Sequence, residues 1–89
     1  MSLRRVRTEE VVIYLGRDRA VLERLRAEGL FEADELEPEE AEELRVASEL
    51  MEDLGVNPAG VGVALHLRRR LLALEARARA LAEALRERE

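Results

Sequence analysis

Residues 57–89 read NPAGVGVALHLRRRLLALEARARALAEALRERE, and this stretch decides the architecture. Asn57 suits an N-cap, and Pro58 falls in the first turn, where the missing proline N–H has no helical acceptor to lose. The pattern predicts one helix from Pro58 to the end of the sequence. Leu67, Leu71, Leu74, Ala78, Leu81 and Leu85 follow one another at intervals of 4, 3, 4, 3 and 4 residues, the a/d rhythm of a helix that packs along another helix. Val61, Leu65, Leu72 and Ala76 form a second apolar strip, so the first half of the helix can lie on its own domain while the second half reaches outward. At about 1.5 Å per residue, a helix of roughly 31 residues spans about 46 Å, more than a compact domain of this length needs. The six seam positions are expected to form a homodimerisation arm.

Working back from the arm, Gly55 to Gly60 is the one candidate hinge. Before it, a helix is expected from Pro38 to about Leu54, with Leu44, Ala47, Leu50, Met51 and Leu54 on its buried stripe and acidic residues opposite. Further back, Thr8 can cap a short helix with Glu9 and Glu10 in its first turn and Val11, Val12 and Leu15 facing inward, ended by Gly16. Asp18 can cap a second, with Val21, Leu22 and Leu25 inward and Gly29 as a left-handed terminator. The pair has helix-turn-helix geometry. Leu30 and Phe31 read as a short extended pair, and Met1 to Arg7 as an extended lead-in. Tyr14 and Phe31, the only aromatics, are assigned to core packing.

Composition removes whole classes of function. An 89-residue chain has room for one small domain and the arm, and no second domain. With no cysteine and a single histidine, His66, neither a thiolate metal site nor a histidine-based triad can be assembled, and no catalytic residue or cofactor is expected. No apolar stretch approaches the ~20 residues of a membrane span. MSLRRVRTEE lacks the apolar core of a signal peptide, so a cytoplasmic location is expected.

The net charge of −5 conceals a sharp division. Residues 1–30 carry seven Arg against five acids, residues 31–57 one Arg against eleven acids, and residues 58–89 seven Arg against four acids, giving +2, −10 and +3. Within FEADELEPEEAEE, Glu32, Asp34, Glu35, Glu37, Glu39, Glu40, Glu42 and Glu43 crowd into twelve residues. Part of this run follows from the preference of acids for a helix N-terminus, and it reads either as a solvated face or as a docking surface for a basic protein. A spaced ligand loop for calcium is missing. Asp34, Glu35, Glu39, Glu40 and Glu43 are the candidate partner-binding residues, Glu39, Glu40 and Glu43 being placed opposite the Leu44/Ala47/Met51 stripe. Arg17, Arg19, Arg24 and Arg26 would face DNA if the second short helix read a groove. They have an alternative use in intrahelical pairs such as Arg19 with Glu23 and Arg24 with Glu28, and ten net negative charges follow immediately.

TEEVVIYLGRDRAVLERLRAEGLF, followed by the helix that ends in LMEDLGVN, resembles the winged helix-turn-helix of the MerR family, and the long last helix resembles that family's antiparallel dimer arm. The sequence departs from MerR regulators where LERLRAEG replaces their arginine- and tyrosine-bearing reading helix and FEADELEPEE replaces the basic wing. VRTEEVVIYLG, ELMEDLGVN and NPAGVGVALHLRRRLLALE are more closely similar to the bacterial chaperone-modulator family of the CbpM type, across most of the chain. That resemblance implies an all-α protein with a MerR-like helix-turn-helix over residues 1–56, a minimal wing and a dimerisation arm over 57–89. It also implies a non-enzymatic role: binding the J-domain of a DnaJ-like co-chaperone and either restraining or assembling its complex with a DnaK-type chaperone. J-domains carry a basic helix, which the acidic segment would complement. A DNA-binding MerR-like regulator and a structural coiled-coil assembly protein are the alternatives.

Overall fold

The computed structural model describes residues 4–88. Strand β1 (Val6–Arg7) leads into helix α1 (Thr8–Tyr14), and α2 covers Arg19–Ala27. Strand β2 (Glu35–Leu36) precedes α3 (Pro38–Glu52), and α4 runs from Pro58 to Glu87. The molecule is mostly helical, as expected, with one addition: β1 and β2 pair antiparallel, Val6 opposite Leu36 and Arg7 opposite Glu35. The expected lead-in is therefore a strand at Val6–Arg7, while Met1 to Leu3 lie outside the described residues.

Local chemistry sets most helix ends. Asp18 Oδ1 accepts the Ala20 N–H at 2.8 Å, and Asn57 Oδ1 accepts the Gly60 N–H at 2.8 Å. Glu37 and Glu40 form a reciprocal capping box ahead of α3, with Pro38 in its first turn. Gly29 takes φ 81° after α2, so that the Gly29 and Leu30 N–H groups turn back to the Arg26 and Leu25 carbonyls. That left-handed step suits a residue without a Cβ.

Thr8 behaves differently from its expected capping role. Arg7 occupies the cap position without a side-chain bond, and Thr8 is the first helical residue, fully buried. Its N–H donates to the Asp34 carbonyl at 2.9 Å and its Oγ1 to the Ala33 carbonyl at 2.7 Å. Long-range bonds to the segment before β2 thus replace a local cap. Phe31 is also corrected: it holds φ 55°, a turn conformation rather than an extended one, and its carbonyl accepts from Arg26 Nε at 2.9 Å.

The core gathers Val12 from α1, Val21, Leu22 and Leu25 from α2, Leu36 from β2, Leu44, Ala47 and Met51 from α3, and Val61 and Leu65 from α4. Each fully buried aliphatic side chain stabilises the fold by about 1.5–3 kcal/mol before conformational entropy is counted. Phe31 and Leu50 pack on this core half-buried. Leu15, expected inward, is half-buried outside the core, and two further expected core residues are exposed. Tyr14 is 89% exposed at the end of α1, and Leu54 is 72% exposed, because α3 stops at Glu52 and the chain turns before Leu54 can face inward.

Only the first turns of α4 touch the body. Val61 and Leu65 are buried, whereas every described residue from Arg69 to Arg88 is exposed. At 3.6 residues per turn, the seam through Leu67, Leu71, Leu74, Ala78, Leu81 and Leu85 lies on the face of α4 turned away from Val61 and Leu65. The principal extents are 54 × 31 × 21 Å.

Replacing Thr8 by Val keeps the shape and removes the Oγ1 donor to Ala33. The expected loss is about 1–2 kcal/mol, read as a lower midpoint in urea with an unchanged slope. Wild-type stability in Thr8→Val would show that the buried hydroxyl does not hold α1 to the 33–34 segment.

Candidate partner-binding surfaces

The acidic segment is less uniform than its sequence. Glu43 lies on the buried flank of α3, 7% exposed, and not opposite the Leu44/Ala47/Met51 stripe as expected. The cause is positional: it precedes Leu44 by one residue and Ala47 by four, which turns it towards α4. There Arg69 Nε and a terminal nitrogen donate to its two oxygens at 2.6 and 2.8 Å. This bidentate contact raises the Arg69 pKa further above its ordinary value, chiefly through the hydrogen bonds to Glu43. Glu43 is therefore a clamp between α3 and α4, not part of an open face.

Other carboxylates are also engaged. Arg5 Nε donates to Glu37 at 3.0 Å, and Glu40 Oε1 accepts the Glu37 N–H at 3.0 Å. Arg45 donates to both Glu42 and Glu49, one turn to either side along α3. The guanidinium holds the Glu42 carboxyl below the usual carboxylate range, mainly by that hydrogen bond. Among the described residues, Glu32, Asp34, Glu35 and Glu39 make no ion pair, and all four are exposed. Asp34 and Glu35 line a mixed-charge groove with Arg5, Arg7 and Arg26. Of the five candidate residues, Asp34, Glu35, Glu39 and Glu40 thus stay at the surface, while Glu43 does not.

The arginines around α2 are largely occupied. Arg17 forms a two-pronged contact with Asp53 at 3.1 and 3.3 Å, which raises its pKa further, chiefly through the hydrogen bond. Arg19 reaches Glu9 on α1 at 3.3 Å instead of pairing with Glu23. Arg26 turns inward to the Phe31 and Ala33 carbonyls. Arg24 makes no ion pair with Glu28 or with any other described residue.

A second surface has no counterpart in the sequence reading. An apolar groove opens between α1 and α3, lined by Val6, Val11, Leu15 and Ala41 together with Tyr14, Glu10 and Glu42. The run VVIYL was a usable indication, because five consecutive apolar residues exceed what one buried face of a short helix can cover. A third surface is the seam of α4, exposed along its whole length. No group of three His, Cys, Asp or Glu among the described residues is placed to hold a metal ion. No helix among them is long and apolar enough to cross a membrane.

Comparison with protein-family models, curated proteins and solved structures returns no match for this chain.

Removing Arg69 tests the clamp. Arg69→Ala leaves the Glu43 carboxylate without its cation, and the expected loss is about 2 kcal/mol, less than the ~3–5 kcal/mol of a fully buried pair because water reaches the Arg69 side chain. For a domain of this size that lowers the thermal midpoint by about 8–16 °C, measurable by circular dichroism. Glu43→Gln combined with Arg69→Ala should recover part of the loss, since no buried charge is then left unpaired.

Proposed function

We propose that this protein is a non-enzymatic interaction module: a MerR-like helix-turn-helix body, with the β1–β2 ribbon as its minimal wing, that binds the J-domain of a DnaJ-like co-chaperone and modulates its coupling to a DnaK-type chaperone in the cytoplasm. One observation carries the reading against DNA binding. Where a DNA-binding relative needs free cations, Arg17, Arg19 and Arg26 are bonded within the molecule, and the segment that follows α2 presents Glu32, Asp34, Glu35 and Glu39 to solvent without ion pairs. Carboxylates so placed favour encounter with a basic surface and oppose approach to phosphate. The sequence resemblance supplies the identity of that basic surface as the J-domain.

The proposed unit is a homodimer joined antiparallel through α4. Its support is the exposed seam, whose 4-3-4-3-4 spacing runs along the face of α4 that the body leaves uncovered. A long exposed apolar stripe on an otherwise charged helix is costly in water unless a second copy covers it. Leu74→Glu and Leu81→Glu should each drive the protein to monomer in sedimentation, without unfolding the body. A wild-type monomer at tens of micromolar would end the arm reading.

Co-purification with DnaJ-type co-chaperones of the same organism, followed by the J-stimulated ATPase rate of the DnaK-type chaperone with and without this protein, tests the functional proposal. A fall in that rate assigns restraint, and a stable three-component complex assigns assembly. Reversing Asp34, Glu35 and Glu39 to Arg should slow association and flatten its dependence on salt while leaving the dimer intact. No association and no effect on the ATPase rate would reject the proposal. Salt-dependent submicromolar binding to mixed duplex DNA would replace it with the regulator reading.

A further inference from the structure

Helix α1 has more apolar surface than its packing consumes. Val12 enters the core and Val11 is half-buried, yet Ile13 and Tyr14 stand 67% and 89% exposed. Beside Tyr14 an open groove of about 490 Å³ runs between α1 and α3, with Val6, Val11, Leu15 and Ala41 among its lining residues. An exposed tyrosine at the lip of an apolar groove is the arrangement of an interface anchor, because Tyr offers large contact area with few rotatable bonds and is enriched among residues whose loss weakens complexes most.

The lip also carries a sign. Glu10 makes no ion pair among the described residues, and Arg45, the one cation there, is already shared by Glu42 and Glu49. One guanidinium between two carboxylates, next to a free third, leaves the edge of an apolar groove net negative. The chemistry that fits is a basic amphipathic helix: apolar side chains at i, i+3 and i+4 in the groove, and Lys or Arg from its flanks reaching Glu10 and Glu42. DNA does not fit an apolar floor with acidic edges. The arm of a second copy is engaged by the seam on the opposite side of α4 in the proposed dimer.

We propose that the α1–α3 groove is the seat of the partner's basic helix, anchored by Tyr14. The inference rests on the J-domain reading and deepens it. The carboxylates Asp34, Glu35 and Glu39 then set how fast the partner arrives, and the groove sets how long it stays. Affinity differences within one interface are carried mostly by the dissociation rate, and charges at its rim act mostly on the association rate.

The two roles separate kinetically. Wild-type protein, Tyr14→Ala and Glu10→Arg are compared by surface-captured binding of the full-length DnaJ-type co-chaperone from the same organism, alongside thermal melts and sedimentation. Tyr14→Ala is expected to raise the dissociation rate at least tenfold while leaving the association rate within about twofold, with unchanged melting and oligomeric state because the side chain is outside the core. Glu10→Arg should slow association and weaken its salt dependence. Amide shifts of wild-type protein on titration with the co-chaperone should cluster at Val11, Tyr14, Leu15 and Ala41. A Tyr14→Ala dissociation rate equal to wild type, with the shifts elsewhere, overturns the groove while the J-domain reading stands on the Asp34/Glu35/Glu39 variant. A change of oligomeric state in Tyr14→Ala assigns the groove to a second copy and overturns it too. Wild-type protein that binds no co-chaperone rejects both.

Discussion

The contact between Glu43 and Arg69 joins the two parts of the molecule. Val61 and Leu65 supply the apolar hold of α4 on the body, but two side chains leave its direction loosely defined. The bidentate guanidinium–carboxylate pair, with both oxygens engaged, adds the geometric restraint that point contacts lack. Beyond Arg69 every described residue of α4 is exposed, so the clamp sits at the last place where the body can steer the arm. A carboxylate 7% exposed would be costly alone. Here it is offset because its partner reaches it from the solvent side and keeps much of its own hydration.

The same economy of charge runs through the body. Arg17 ties the turn after α1 to Asp53 beyond the end of α3, Arg5 ties the start of the chain to Glu37, and Arg26 satisfies the carbonyls of Phe31 and Ala33. A core of ten buried apolar residues among those described is small for so many connections, and these contacts fix segments that the core does not reach. Exposed pairs contribute little each, about 0–1 kcal/mol, but Arg26 and Thr8 act on the same short segment before β2. That segment places Phe31 on the core and holds Asp34 and Glu35 at the surface.

Legibility in the sequence followed the range of the interaction. Asp18, Pro38, Asn57 and Gly29 act within a few residues of themselves, and the helix ends they mark are where capping chemistry puts them. The 4-3-4-3-4 seam and the Val61/Leu65/Leu72/Ala76 strip fall on two faces of α4 because helical periodicity is also local, but the body covers only Val61 and Leu65 of the second and leaves Leu72 and Ala76 exposed. Thr8 failed as a cap because its partners lie at residues 33 and 34, beyond any spacing rule. Glu43 lies on the buried flank by its position, one residue before Leu44 and four before Ala47, whereas its cation is 26 residues away. Tyr14 is the converse case, an aromatic whose type favours a core but whose place at the end of α1 leaves it 89% exposed. The strand Glu35–Leu36 is too short for alternation to reveal it.

Magnitudes separate what the acidic segment can do from what it cannot. A micromolar complex requires about 8 kcal/mol, and exposed ion pairs made by Glu32, Asp34, Glu35 and Glu39 would supply about 0–1 kcal/mol each, less at physiological salt. Four such contacts cannot hold a protein partner, although they can raise its arrival rate. Burial of apolar surface, at roughly 25 cal/mol per Å², is the term large enough to retain it once the costs of association are met. The body offers that surface in the groove beside Tyr14, where Val6, Val11, Leu15 and Ala41 share the lining with Glu10 and Glu42. A partner of opposite charge without an apolar face would therefore meet this protein quickly and leave it quickly, and in the proposed complex selectivity would fall to a partner that carries both.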